Sequence, residues 1–240
     1  MSAPSKLVAT NITLMNRSLL QGSKVKPTPL MFFAGLLYSS WPLGFWLNPK
    51  ANRGLASNLE ALHQPYNWLF ICLDITCGIL VGIACLNLLK IRSGSFNRNT
   101  RLGLMVALLG TGSFGLLTAI DAILPLDCLE GSPHCLATLS DSYFVIHGIF
   151  SIGSIAGLTL SIIAIWLLIF VSEKDVMSLT HLTPAMFLLV WLGFGVLTIY
   201  LVLHNQSSSM AQHFFIGFCS LWLVVLPYFV RLVARLQSSQ

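Results

Sequence analysis

Charged side chains are scarce in this chain of 240 residues, since only 9% of them are Asp, Glu, Lys or Arg. A soluble globular domain carries about 25% charged residues, which keep its surface in water. Here 55% of the residues are hydrophobic and the mean hydropathy is +0.80. The composition therefore excludes a soluble enzyme, a disordered tail and a nucleic-acid reader as first interpretations, and it predicts a polytopic membrane protein.

The sequence also lacks several motifs that would indicate a particular chemistry. No glycine-rich phosphate loop follows a strand and no GxSxG motif occurs, so nucleotide-binding and serine-hydrolase functions have no support. Neither HxxxH nor HExxH is present. Residues 1–27 contain no apolar run long enough for a cleavable signal peptide.

What the sequence does contain is six apolar stretches, each long enough to cross a bilayer, which takes roughly 20 residues. They lie at about 30–48, 67–89, 102–124, 143–171, 185–204 and 212–230. We therefore predict an all-α fold, a polytopic transmembrane bundle of six helices over residues 28–231. Two tails flank it, at residues 1–27 and 232–240.

The basic residues predict the orientation of this bundle. Of the 13 lysines and arginines, only Lys50 and Arg53 lie in loops on the side opposite the N-terminus. Cytoplasmic segments of membrane proteins are enriched in Lys and Arg, so we predict that both termini are cytoplasmic. The pI near 9.0 follows from this asymmetry and indicates affinity for anionic lipid, with no nucleic-acid partner.

The N-terminal tail carries apolar residues at the spacing of one helical face, namely Val8, Ile12, Met15 and Leu19. This pattern predicts either a short helix lying on the inner membrane surface or a frayed polar tail.

The six cysteines divide into two groups. Four lie within predicted spans and are expected to be small buried apolar residues: Cys72, Cys77, Cys85 and Cys219. Cys128 and Cys135 share the loop after the third span, which is predicted to face an oxidising compartment. We predict a disulfide between them; a metal site that adds His134 is the alternative.

Charged side chains within spans are costly and are functional candidates by default. Only Asp74 and Asp121 are of this kind, and both lie in the outer half of the predicted bundle. His147 lies near the outer end of the fourth span, and His213 flanks the outer turn before the sixth. The fourth span also carries His147, Ser151, Ser154 and Ser161 on one helical face.

These residues predict a polar pocket that opens outward, and three interpretations of it remain. In the first, the polar groups bond one another and fix the helix packing. In the second, the pocket binds a ligand or relays protons, because an Asp–His pair can titrate near neutral pH. In the third, it is a membrane-embedded hydrolase in which His147, His213 and Asp74 hold a zinc ion.

Two segments resemble a known family. One is Leu59-Glu-Ala-Leu-His-Gln-Pro-Tyr-Asn-Trp-Leu-Phe-Ile-Cys-Leu-Asp74. The other is Asp121-Ala-Ile-Leu-Pro-Leu-Asp127-Cys128, followed by Cys135 and by His147-Gly148. Together they resemble the bacterial membrane proteins of the domain-of-unknown-function 998 family, over roughly residues 30 to 235.

The resemblance implies a six-helix bundle in the bacterial cytoplasmic membrane and no particular activity. It also implies that Asp74, Asp121, Cys128, Cys135 and His147 belong to the family's pattern. A looser similarity to ceramidase-like membrane hydrolases is the origin of the hydrolase interpretation.

The function that we expect from the sequence is non-enzymatic binding of a lipid or small solute in the outward-facing pocket. The candidate ligand-binding or proton-relay residues are Asp74, Asp121, His147, Ser151, Ser154 and His213. The expected partners are membrane lipids and a small solute or a protein. No cofactor is predicted, and zinc enters only under the alternative, a metal-dependent lipid hydrolase.

Overall fold

The computed structural model describes residues 27–51, 55–90, 96–127, 142–172, 179–204 and 209–238. Within these ranges the chain is helical and contains no β-strand. The six principal helices are α1 (Pro27–Tyr38), α2 (Asn67–Lys90), α3 (Arg98–Ile123), α4 (Ser142–Ser172), α5 (Leu179–Leu203) and α6 (Ser209–Ser238).

The prediction of six membrane-spanning segments is confirmed. Six helical stretches are long and apolar enough to cross a bilayer, the first of them running from Pro29 to Leu47. The cytoplasmic position of the termini stays a prediction, and residues 1–26 lie outside the described residues.

Local sequence explains where two of the helices begin or end. Asn97 caps α3, because its side chain accepts a hydrogen bond of 2.8 Å from the backbone N–H of Thr100. The last helix continues to Ser238, beyond the predicted end of its span near residue 230. Arg235 lies in its last turn, where a positive charge interacts favourably with the helix dipole.

The first span is a broken helix rather than a continuous one. After α1 ends at Tyr38, a 3-10 turn covers Trp41–Leu43 and a short helical turn covers Gly44–Leu47. Pro42 accounts for the break, because proline has no N–H to donate to the carbonyl four residues earlier and its ring crowds that carbonyl. The break turns Trp41 toward α6, where its ring stacks on that of His213.

Five of the helices form a closed ring. α3 packs most extensively against α4 and α2, α1 lies between α2 and α6, and α6 also contacts α4. The remaining helix, α5, lies outside this ring against α4 and α6. Only 11% of the most apolar stretch of α5 is buried inside the protein, so most of the surface of this helix is available for contact with lipid.

The main hydrophobic core runs through the bundle and takes buried residues from all six helices. Ile162, Ile165 and Trp222 are fully buried there. Trp191 of α5 reaches into the core, where its Nε1 donates to Cys219 Sγ at 3.2 Å. Lipid offers no hydrogen-bond partners, so this contact helps hold α5 on the ring.

The predicted burial of the four cysteines within spans is confirmed for three of them and wrong for one. Cys77, Cys85 and Cys219 are buried as expected, whereas Cys72 is exposed because α2 turns that face away from the bundle. The expectation of burial was therefore wrong for Cys72. Cys128 and Cys135 lie outside the described residues, so their disulfide stays a prediction.

Candidate functional site

A cavity of about 290 Å³ lies at one end of the bundle. Its wall is built where α3 ends, where α4 and α6 begin, and where the chain passes from the first span to the second. The polar residues that line it are Tyr38, Ser40, Ser57, Glu60, Asp74, Thr118, Asp121, His147, Ser151, Ser154 and Gln212. The volume is close to the lower end of the range for small-molecule sites, about 300–1,000 Å³.

The connection between the first two spans folds over this end of the bundle. Its 3-10 turn, Ala56–Leu59, lines the cavity, and the backbone N–H of Ala56 donates to Gln212 Oε1 on α6. Further along, Leu62 N donates to Leu126 O at 2.7 Å. These bonds fix the connection to α6 and to the end of α3, so it forms part of the cavity wall.

Asp121, His147 and Ser151 form a connected cluster on the wall. Ser151 Oγ donates to Asp121 Oδ2 at 2.6 Å. Asp121 Oδ1 lies 3.0 Å from His147 Nδ1. The cluster joins the last turn of α3 to the first turns of α4, and Ser154 continues it by donating to Ser151 O at 2.8 Å.

The contacts of His147 define which ring nitrogen carries the proton. Its Nδ1 also lies 3.1 Å from the carbonyl oxygen of Leu124. Since a carbonyl only accepts, Nδ1 carries the hydrogen. The N–H is aligned with Leu124 O, so Asp121 Oδ1 has no aligned hydrogen bond. The negative charge of the carboxylate still attracts the N–H group of the ring. Among the described residues nothing bonds to Nε2, the other nitrogen.

Glu60 and Asp74 form a second pair on the wall, in which the two carboxyl groups share a hydrogen bond. Two carboxyl groups can bond to each other only when one of them carries a proton. Desolvation by the surrounding protein raises the pKa of Glu60 well above its usual range, and the negative charge of Asp74 raises it further. Glu60 lies in the connection between spans, just beyond the 3-10 turn.

Thr118 contributes a polar atom without a partner. The residue is only 6% exposed and lines the cavity. No hydrogen bond reaches its Oγ1 in the described part of the chain. Leaving a buried hydroxyl unpaired costs about 1–3 kcal/mol, which a bound molecule offering a partner would recover.

The structure places five of the six candidate residues on the wall of this cavity: Asp74, Asp121, His147, Ser151 and Ser154. His213 does not line it. The His213 ring stacks on Trp41, with ring centroids 3.9 Å apart and planes within 5°. Ser209 Oγ lies 3.3 Å from its Nδ1, and the residue is buried in this aromatic environment.

Glu60, Tyr38, Thr118 and Gln212 also line the cavity, although the sequence analysis did not single them out. From the sequence, Glu60 is expected in the loop between the first two spans, where an acidic residue is ordinarily solvated. A signal was present, because it precedes the second span by only a few residues within the segment that ends at Asp74. Nothing in the sequence indicates that the loop folds inward.

The donor set does not fit a metal ion. Among the described residues no group of three His, Cys, Asp or Glu side chains is arranged to hold one. The predicted trio of His147, His213 and Asp74 is therefore not found as a metal-binding group in this part of the chain. His134, the remaining candidate ligand, lies outside the residues that the structure describes.

A model of the family described as "Protein of unknown function (DUF998)" matches residues 32–230. No curated protein and no solved structure matches the chain.

Proposed function

This chain belongs to the DUF998 family, and we propose that it binds a small polar solute, or the polar headgroup of a lipid, in the cavity at the end of the bundle. One observation carries the proposal. A cavity of about 290 Å³ is lined by three carboxyl groups, an imidazole with a free nitrogen and a buried unpartnered hydroxyl. Polar groups are expensive at this depth, and a purely structural network would satisfy them internally.

In this proposal the cavity opens to the outside of a bacterial cytoplasmic membrane, with both termini in the cytoplasm. The asymmetry of basic residues supports that orientation. Solutes would then reach the cavity from the external medium, and lipid headgroups would reach it from the outer leaflet.

Gly148 offers a way to test the proposal by filling the cavity. It lies on the cavity wall, and a Cβ added there meets no atom within 4 Å. Gly148→Leu therefore extends a side chain into the cavity without a clash at Cβ. Gly193→Leu is the matched control, because Gly193 is exposed on α5, is not on the wall and has the same free space.

The experiment measures the thermal stability of detergent-purified protein with ethanolamine, ethylene glycol, glycerol and acetate. At ten times its Kd, a bound solute raises the Tm by about 3–6 °C. We expect at least one solute to do so for wild type and for Gly193→Leu, and none for Gly148→Leu. An equal response of all three proteins to every solute would overturn the proposal.

The zinc-dependent lipid hydrolase is the second candidate. One observation favours a hydrolytic function: Asp121 lies beside Nδ1 of His147, and the free Nε2 is in a position to accept a proton from water. The absence of a metal-binding trio among the described residues disfavours its zinc form. Mass spectrometry of the purified protein tests it. Near-stoichiometric zinc that disappears in His147→Ala would favour the hydrolase, and we expect no such zinc.

A further inference from the structure

We infer that the ligand of this cavity carries a primary ammonium group, and that it enters in exchange for the proton shared by Glu60 and Asp74. The inference rests on the proposed function and specifies the chemistry of its ligand. An ammonium group can be presented by a free amine or by an ethanolamine lipid headgroup, which share this chemistry.

The charge of the wall selects a cation. Glu60, Asp74 and Asp121 come from the inter-span connection, α2 and α3, and all three line one cavity. No lysine or arginine among the described residues lines it. In a site of low dielectric constant an anion is repelled by these carboxylates, while a cation is attracted more strongly than in water.

The unpaired atoms select a donor of hydrogen bonds. Thr118 Oγ1 and Asp121 Oδ1 are both buried and have no aligned hydrogen bond. Both accept hydrogen bonds, and a primary ammonium has three N–H groups to donate. A charge-assisted bond to Asp121 is stronger than one between neutral groups.

Aromatic rings complete the wall. Tyr38, Trp41, Phe70 and Phe215 line the cavity together with the carboxyl groups. The face of an aromatic ring attracts a cation within about 6 Å of its centroid. The combination of carboxylates and rings suits a small organic ammonium ion better than a fully hydrated metal ion.

The Glu60–Asp74 pair supplies the charge that the ammonium needs. Before the ammonium binds, the pair holds one proton, and Asp121, His147 and Tyr38 face the same space from α3, α4 and α1. When the ammonium enters, the O–H bond of the pair breaks and the proton passes to bulk water. One positive charge replaces another, so the net charge of the cavity does not change and no uncompensated charge is buried.

The first measurement compares two probes of similar size on detergent-purified wild type. Ethanolamine carries an ammonium group where ethylene glycol carries a hydroxyl. We expect ethanolamine to bind at least tenfold more tightly at pH 8. Equal binding of the two probes would overturn the ammonium inference while leaving the proposed solute site in place.

The second measurement follows the affinity for ethanolamine between pH 5 and pH 8, where an amine of this kind stays protonated. If one proton is released per ligand, the affinity rises with pH by up to about tenfold per unit. Direct proton release, measured with a pH-sensitive dye in weakly buffered solution, should approach one proton per ligand bound. Tight binding with neither pH dependence nor proton release would overturn the exchange.

Variants assign the exchange to the carboxyl pair. Glu60→Gln removes the group that holds the proton, so we expect weaker binding of ethanolamine at pH 8 and a much flatter pH dependence. Asp127→Asn is the matched control, because Asp127 is exposed and does not line the cavity. Its affinity and pH dependence should equal those of wild type. An unchanged Glu60→Gln profile would contradict the role of the pair.

The source of the ammonium is tested in lipid nanodiscs. Binding of free ethanolamine to protein in phosphatidylglycerol nanodiscs would support a soluble amine as the ligand. If free ethanolamine does not bind but phosphatidylethanolamine stabilises wild type and not Gly148→Leu, the ligand is the headgroup. The absence of both effects, with ethylene glycol or acetate still stabilising wild type, would overturn the ammonium inference and retain a solute site.

Discussion

At the scale of single residues, Ser161 joins three helices in the middle of the bundle. It is fully buried on α4, and its Oγ accepts a hydrogen bond of 2.8 Å from Thr111 Oγ1 on α3. Trp222 Nε1 on α6 donates to the same oxygen at 3.2 Å. This serine belongs to the polar stripe of the fourth span but does not line the cavity, so part of that stripe serves packing.

Replacing Ser161 with Ala removes the acceptor for two buried donors. We expect the free energy of unfolding to fall by about 1–2 kcal/mol, because hydrogen bonds between membrane helices are individually modest. The measurement is thermal unfolding in detergent. Thr76→Ala is the control, since Thr76 is exposed and bonds its own helix backbone at Cys72 O. Equal loss in both variants would contradict the assigned role.

Glu60 makes a second prediction at this scale, for the protein without ligand. Because the pKa of Glu60 is raised in the folded state, the folded chain retains a proton that the unfolded chain releases. Its contribution to stability is therefore present at pH 4 and is lost as the pH rises toward the raised value. We expect the Tm to fall between pH 5 and 8, and to fall less in Glu60→Gln than in Asp127→Asn. The same slope in both variants would count against a proton held at Glu60.

At the scale of elements, glycine sets how closely the helices approach. A Cβ at Gly110 of α3 would lie 2.5 Å from Gly157 O of α4, and a Cβ at Gly157 would lie 2.7 Å from Gly110 O. Gly78 of α2 meets Gly115 of α3 in the same way. These contacts occur where α3 packs against its two main neighbours, so the backbones there are close enough to exclude any side chain.

Gly110→Ala should therefore destabilise the bundle by about 1–3 kcal/mol, the usual cost of overpacking. Gly82→Ala should be neutral or stabilising by up to about 1 kcal/mol, because alanine favours helix and its Cβ there meets no atom within 4 Å. Thermal unfolding of the two variants checks the prediction. If Gly82→Ala proves as destabilising as Gly110→Ala, close backbone contact is not the cause.

The elements differ in how far the sequence predicts them. Apolar length predicted all six spans, because a helix must satisfy its own backbone in lipid. The break after Tyr38 was not predicted, although Pro42, which causes it, stands in the sequence. The inward fold of the connection around Glu60 was not predicted because it depends on tertiary contacts such as that of Ala56 with Gln212. Depth and helical spacing placed Asp74, Asp121 and His147 in one region. They could not show that His213 pairs with Trp41 instead.

At the scale of the whole molecule, the charge distribution predicts the orientation in the membrane. Lys90 and Arg98 flank one connection, and Arg231 and Arg235 lie in the last turns of α6. A reporter fused after Gln240 should therefore be active in the cytoplasm. A periplasmic signal from that fusion would contradict the proposed orientation. The cavity would then face the cytoplasm, where external solutes do not reach it.

The central claim, a cavity that admits solute from outside, is tested most directly by labelling a cysteine on its wall. Gly148→Cys in intact cells should react with a membrane-impermeant maleimide well above the wild-type background, and ethanolamine should slow the reaction. Gly193→Cys on the lipid-facing helix should not react, because a thiolate is unstable in hydrocarbon. Labelling of Gly148→Cys only after the membrane is permeabilised, or not at all, would contradict the account.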